Sequence, residues 1–181
     1  MKLLKYALLA IPFLYFSCSD DEDAPEQINE EEVITTMTVY LLGANGDEVV
    51  MQTQDLDGDG PNEPVVTVSG PLKNDVVYLG AISWLNEMED PAEDITEEVL
   101  EEADDHQVFF DANGVDMYFE YTDSDSNGNP IGVMFLVAPY STGSGSLTIT
   151  LVHEPTKPND GLGTAGGSID IQTTFPVTVV Q

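Results

Sequence analysis

Strict alternation of apolar and polar residues constrains this chain more than any other feature. Val115, Met117, Phe119 and Tyr121 fall on one side of an extended run, while Asp116, Tyr118 and Glu120 fall largely on the other. A period of two buries one face of a strand and cannot bury one face of a helix, whose repeat is 3.6. Leu147, Ile149 and Leu151 repeat the pattern against Thr148 and Thr150, and Ile169, Ile171, Phe175, Val177 and Val179 share a parity in the last segment. Half-buried strands of this kind pair antiparallel. Six further candidates lie at 34–42, 48–54, 64–69, 75–85, 107–111 and 131–138, separated by turn formers such as Asn45-Gly46 and Asn113-Gly114. Residues 33–181 are therefore expected to form one all-β domain, an antiparallel β-sandwich.

Two local patterns refine that expectation. Leu72-Lys-Asn-Asp-Val-Val-Tyr78 has the spacing of a tyrosine corner, in which a buried ring bonds back to the preceding turn. It points to an immunoglobulin or fibronectin-III-like sandwich, although aromatic residues also begin strands simply because they fit pleated surfaces. One short helix is predicted at 95–103: Asp94 is a candidate N-cap with Glu97 three residues on, and Ile95, Val99 and Ala103 recur at helical spacing. Its exposed face carries Glu97, Glu98, Glu101 and Glu102, and the glycine-rich stretch 160–167 reads as loop.

The first residues are of another kind. Lys2 and Lys5 precede an apolar run from Tyr6 to Phe16, interrupted by Pro12 and followed by Ser17-Cys18. A basic start, about 7 to 15 apolar residues and a small residue before the cut form an export signal, whereas crossing a bilayer takes about 20. Residues 1–17 are expected to be that signal peptide. Cys18 is the sole cysteine, which rules out an internal disulfide, and it stands where a bacterial lipoprotein signal is cut and its sulfur acylated. Tyr15 and Phe16 depart from the leucine and small residue usual before Ser-Cys in that signal. Residues 18–32 are expected to be the lipidated cysteine and a disordered, self-repelling acidic tether. Ser19-Asp20-Asp21-Glu22-Asp23 resembles the acidic export signal of Bacteroidota lipoproteins, and a plain solvated spacer has the same composition. The expected location is the outer membrane, on its periplasmic or surface face.

Charge decides which partners to exclude. The chain has 34 acidic residues against 4 basic ones, a net charge of −30, and no arginine. Loss of Lys2 and Lys5 with the leader leaves Lys73 and Lys157 as its only bases. Nucleic acids and anionic lipid surfaces are recognised by clustered Lys and Arg, so no nucleic acid is expected as partner, and membrane contact is expected through the lipid anchor alone. Cations, neutral ligands and basic proteins remain.

Two constellations fit cations. Asp55-Leu-Asp57-Gly-Asp59-Gly60 and Asp123-Ser-Asp125-Ser-Asn127-Gly128 place oxygens at positions 1, 3 and 5 and turn on glycine, as calcium loops do. Val66 and Met134 stand where an EF-hand has its glutamate, so neither loop is an EF-hand. The same residues also make ordinary β-turns. The second constellation surrounds the two histidines. Asp104, Asp105 and His106 follow the helix, where the macrodipole disfavours carboxylates, and a broken local rule marks a candidate site. His153 shares the parity of Leu151 and ends a core-facing row, with Glu154 beside it. If the fold brings the segments together, His106 and His153 with Asp104, Asp105 or Glu154 could hold a transition metal such as zinc or iron. The plainer alternative is one hydrogen-bonded and one solvated histidine. Enzyme signatures are lacking: there is no phosphate loop, zinc-protease pair or nucleophile elbow, and no catalytic residue is expected.

Several blocks together resemble a flavobacterial cell-envelope lipoprotein family. They are Glu31-Glu-Val-Ile-Thr-Thr36, Asp55-Leu-Asp-Gly-Asp-Gly60, Asp94-Ile-Thr-Glu-Glu-Val99, Asp105-His-Gln107, Asp125-Ser-Asn-Gly-Asn-Pro-Ile-Gly132 and His153-Glu-Pro155. Some members carry a type 1 periplasmic binding fold label, which the single readable helix argues against, since such folds repeat strand-helix-strand units. The resemblance implies a neighbouring TonB-dependent receptor and a role in capturing a metal or nutrient. Two functions stay open: a non-enzymatic accessory binding module, or a structural or adhesive surface domain stiffened by calcium loops.

Overall fold

The computed structural model describes residues 32–58 and 60–181. The expected signal peptide 1–17, the acylated Cys18, the tether up to residue 31 and Asp59 lie outside the described residues. The chain runs β1 (Thr36–Gly43), β2 (Glu48–Gln54), β3 (Val65–Val68), β4 (Leu72–Lys73), β5 (Tyr78–Asn86), β6 (Glu93–Asp94), α1 (Ile95–Glu101) and β7 (His106–Asn113). It continues through β8 (Met117–Tyr121), β9 (Met134–Pro139), β10 (Gly143–His153), α2 (Leu162–Ala165) and β11 (Ser168–Val180).

The strands form two sheets. One has the order β3-β2-β1-β5-β9-β8 with β6 added against β5, and the other has the order β4-β11-β10-β7. All pairings are antiparallel except the short one between β11 and β4. One core lies between the sheets: Met37, Val39, Trp84 and Phe135 from the first meet Val108, Leu147, Ile149, Leu151 and Phe175 from the second. Each such side chain stabilises the fold by about 1.5–3 kcal/mol relative to exposure. The alternation predicted for 147–152 sets this face, since Leu147, Ile149 and Leu151 are all fully buried.

Several expectations are corrected. The helix ends at Glu101 and not at residue 103, while Asp94 is its N-cap as expected, with its side chain accepting from the Thr96 amide. Ile95 and Val99 are its buried residues and close one end of the core. A short helix, α2, occupies part of the stretch read as loop. Two very short strands, β4 and β6, carry too few residues to show an alternation. Tyr78 is fully buried, and its hydroxyl accepts from the Lys73 amide at 2.8 Å, closing the corner expected from the Leu72 spacing.

The correction that matters most lies in β11. Opposite β10, Leu151 pairs with Ile171 while the next residue, Val152, pairs with Ile169, so Asp170 is the extra residue of a β-bulge. A one-residue slip exchanges the two faces of a strand. Ile169, expected on the core side, is 55% exposed, and the Asp170 side chain is wholly buried.

Candidate metal centre

His106 opens β7 and His153 closes β10, and the ladder between those strands sets the two residues directly opposite each other. His106 shares its face with Val108, and His153 shares its face with Leu151, so both rings turn inward between the sheets. They stack, with centroids 4.5 Å apart and planes 24° from parallel. The pairing left open by the sequence is thus made by strand register.

Two carboxylates complete the cluster. Glu32 Oε1 lies 3.1 Å from His106 Nε2, and Glu32 Oε2 lies 3.6 Å from His153 Nδ1. Asp170 Oδ2 and Oδ1 each lie 3.9 Å from the same two nitrogens, Oδ2 from His106 and Oδ1 from His153. One ligand atom from each residue lies within 4.8 Å of every other. All four side chains are buried, the most exposed being His153 at 7%.

Hydrogen bonding fixes what the nitrogens can do. His106 Nδ1 lies 3.1 Å from the Glu102 carbonyl oxygen. A carbonyl only accepts, so Nδ1 carries a proton and the neutral ring turns the lone pair of Nε2 toward Glu32. Lone pair then faces carboxylate at 3.1 Å, which is repulsive unless a second proton or a metal cation stands between them. Metal-binding histidines have this arrangement, with the far nitrogen donating to a backbone carbonyl. Glu32 Oε2 and His153 Nδ1 are buried and have no hydrogen-bond partner among the described residues.

Size and charge narrow the ion. Tetrahedral zinc with bonds of about 2.0–2.1 Å has ligand–ligand edges of about 3.4 Å. The nitrogen-to-oxygen separations of 3.1, 3.6, 3.9 and 3.9 Å bracket that value. Calcium, which takes six to eight oxygens, does not fit a set of two imidazoles and two carboxylates. Glu98 and Glu102 also approach Glu32. Partial burial, followed by the charges of Glu32, Glu102 and Glu93, raises the Glu98 pKa against a smaller lowering by His106.

The carboxylates proposed from sequence lie elsewhere. Asp104 accepts from the Ser126 amide and hydroxyl. The Asp105 carbonyl accepts from the Glu154 amide at 2.6 Å, and the side chains of both residues are exposed. Glu32 and Asp170 were missed for distinct reasons. Glu32 sits in a run of acids that reads as tether, and Asp170 has the outward parity until the bulge reverses it.

Carboxylates at the end of α1 are offset by a base distant in sequence. Lys157 Nζ donates to the carbonyls of Ala103 at 2.7 Å and His106 at 2.6 Å, and pairs with Asp125 at 3.3 Å. Asp125 therefore faces an ammonium and the amides of Asn127 and Asn129. Burial alone would raise its pKa, but bonds from Asn129, Lys157 and Asn127 outweigh that and hold it below the usual aspartate value. Asp123 accepts from the amides of Gly132 and Met134. This second loop spends its two aspartates on backbone amides and a lysine, which is turn chemistry. In the first loop Asp55 accepts from the Asp57 amide and Asp57 from the Asn62 side chain.

Comparison of the chain with family models, with curated proteins and with solved structures finds no match.

Proposed function

We propose that this chain is a lipid-anchored, non-enzymatic module of the cell envelope that binds a divalent transition metal, with zinc the best fit. Its folded part is read as an immunoglobulin or fibronectin-III-like sandwich, supported by the buried Tyr78 corner. Glu32, His106, His153 and Asp170 are the ligands. The observation that carries the reading is their convergence, from a loop and three adjacent strands, into one buried polar cluster. Four protein ligands fill a tetrahedron and leave no position for substrate, which favours a resident structural ion over a catalytic one. Burial of all four side chains favours a resident ion over rapid capture and release in the same way.

Metal analysis and calorimetry on the chain beginning at Cys18 test this. One zinc per chain is expected, with His106→Gln and His153→Gln each abolishing tight binding and Asp123→Asn leaving it intact. Zinc at about a hundred times its dissociation constant should add about 2.7 kcal/mol of stability. Equal affinity for calcium, unmoved by either histidine change, would overturn the reading. For the anchor, Cys18→Ser should shift the protein from the membrane to the soluble fraction.

One observation favours a second, adhesive reading. Tyr40, Leu42, Leu79 and Met134 lie across neighbouring strands of the larger sheet on its outer face, each between 42% and 51% exposed. Contiguous exposed apolar residues mark interaction surfaces. Loss of cell-surface adhesion in a Leu42→Lys, Leu79→Lys variant that still binds zinc would support it.

A further inference from the structure

Resting on that metal reading, we infer that the ion is a latch that fastens the segment 32–35, where the acidic N-terminal stretch meets the domain, to the end of the sheets. The four ligands are unequal. His106, His153 and Asp170 come from β7, β10 and β11, three neighbouring strands held in one ladder. Glu32 comes from a run with no strand pairing, four residues before β1. Thr35 secures the near end of that run by its own bonds: its amide and hydroxyl donate to the Leu85 carbonyl, and its hydroxyl accepts from the Glu87 amide. Val33 between them is 54% exposed, and Ile34 packs only partly against the core. The far end is held at the metal cluster, through the Glu32 carboxylate.

Charge makes that hold conditional on a cation. The carboxylate of Glu32 lies among those of Asp170, Glu98 and Glu102, and among the described residues the two imidazoles are the groups beside it that can carry positive charge. Glu30 and Glu31 add two more charges immediately before it. Glu32 and Asp170 are buried, where like charges repel strongly, and the exposed Glu98 and Glu102 add to that repulsion from the solvent side. A dication between Glu32, Asp170 and the two rings converts that repulsion into bonds, so the docked and released states differ in metal affinity, which is what a ligand-driven shift requires. The three strand ligands stay in place in either state. Metal loading therefore decides whether the acidic stretch departs from residue 32 or from the Thr35 anchor.

A glutamate-specific endoprotease reads this directly, because cleavage after Glu32 requires its side chain to leave the site. The chain from Cys18 is digested with and without zinc, and cleavage after Glu32 is measured against cleavage after Glu89, an exposed residue in the turn following β5. With zinc at about a hundred times its dissociation constant, cleavage after Glu32 should slow about a hundredfold while Glu89 is unaffected. Glu98→Gln with Glu102→Gln should slow the zinc-free cleavage after Glu32 several-fold by removing repulsion. Zinc uptake with unchanged cleavage after Glu32 overturns the latch and leaves the metal site standing. Failure to take up zinc overturns both.

Discussion

Lys157 is a buried base that ties the end of α1 to a loop distant in sequence. It is 5% exposed, and its ammonium satisfies two carbonyls after α1 and one carboxylate. Lys157→Met should cost about 3 kcal/mol in urea unfolding, because Asp125 would remain buried without its counter-charge. The depressed pKa of Asp125 has a definite pH signature. Its stabilisation is complete above 3.8, the ordinary aspartate value, and is lost as the pH falls through the lower folded-state value. Melts taken from about pH 5 to about pH 2.5 should therefore fall less steeply for Asp125→Asn than for the parent. Gly167 is the third sensitive residue. At φ +72 it adopts a backbone that other residues rarely reach, and a Cβ there would lie 2.2 Å from the His153 carbonyl oxygen. Gly167→Ala should weaken zinc binding by displacing the end of β10, seen by calorimetry as a raised dissociation constant.

The bulge in β11 is the decisive feature among the elements. It lets one strand keep Phe175, Val177 and Val179 in the core while turning Asp170, of the opposite parity, to the same side. Deleting Ile169 should restore plain alternation, point Asp170 outward and abolish tight zinc binding while far-UV circular dichroism still reports the sheets. At the other boundary of the site, α1 depends on its N-cap. Asp94→Ala removes the acceptor for the Thr96 amide and should cost about 1 kcal/mol, measured by thermal unfolding. Because Glu102, just past this helix, orients His106 through its carbonyl, loosening α1 should also weaken metal binding.

Across the whole molecule a net charge of −30 works against compactness. Raising ionic strength from about 0.01 M to about 0.15 M shortens the screening length from about 30 Å to about 8 Å, and the melting temperature should rise accordingly. Zinc bound at the proposed site would neutralise only the local part of that charge, so its stabilisation should persist at high salt. Period-two alternation by itself determined an all-β chain with two-sided strands, because burying one face of an extended strand needs nothing beyond its own spacing. The residues of α1 and its cap were likewise readable, since capping and helical periodicity are local. The two histidines could be named as candidates, with no means of measuring their separation. Only the tertiary structure decided that separation, through the register of β7 against β10. It also replaced Asp104, Asp105 and Glu154 with Glu32 and Asp170, one recruited from a polar run before β1 and the other turned inward by a single extra residue. The geometry of the cluster is set by strand register and by a bulge, and both depend on contacts between segments far apart in the chain.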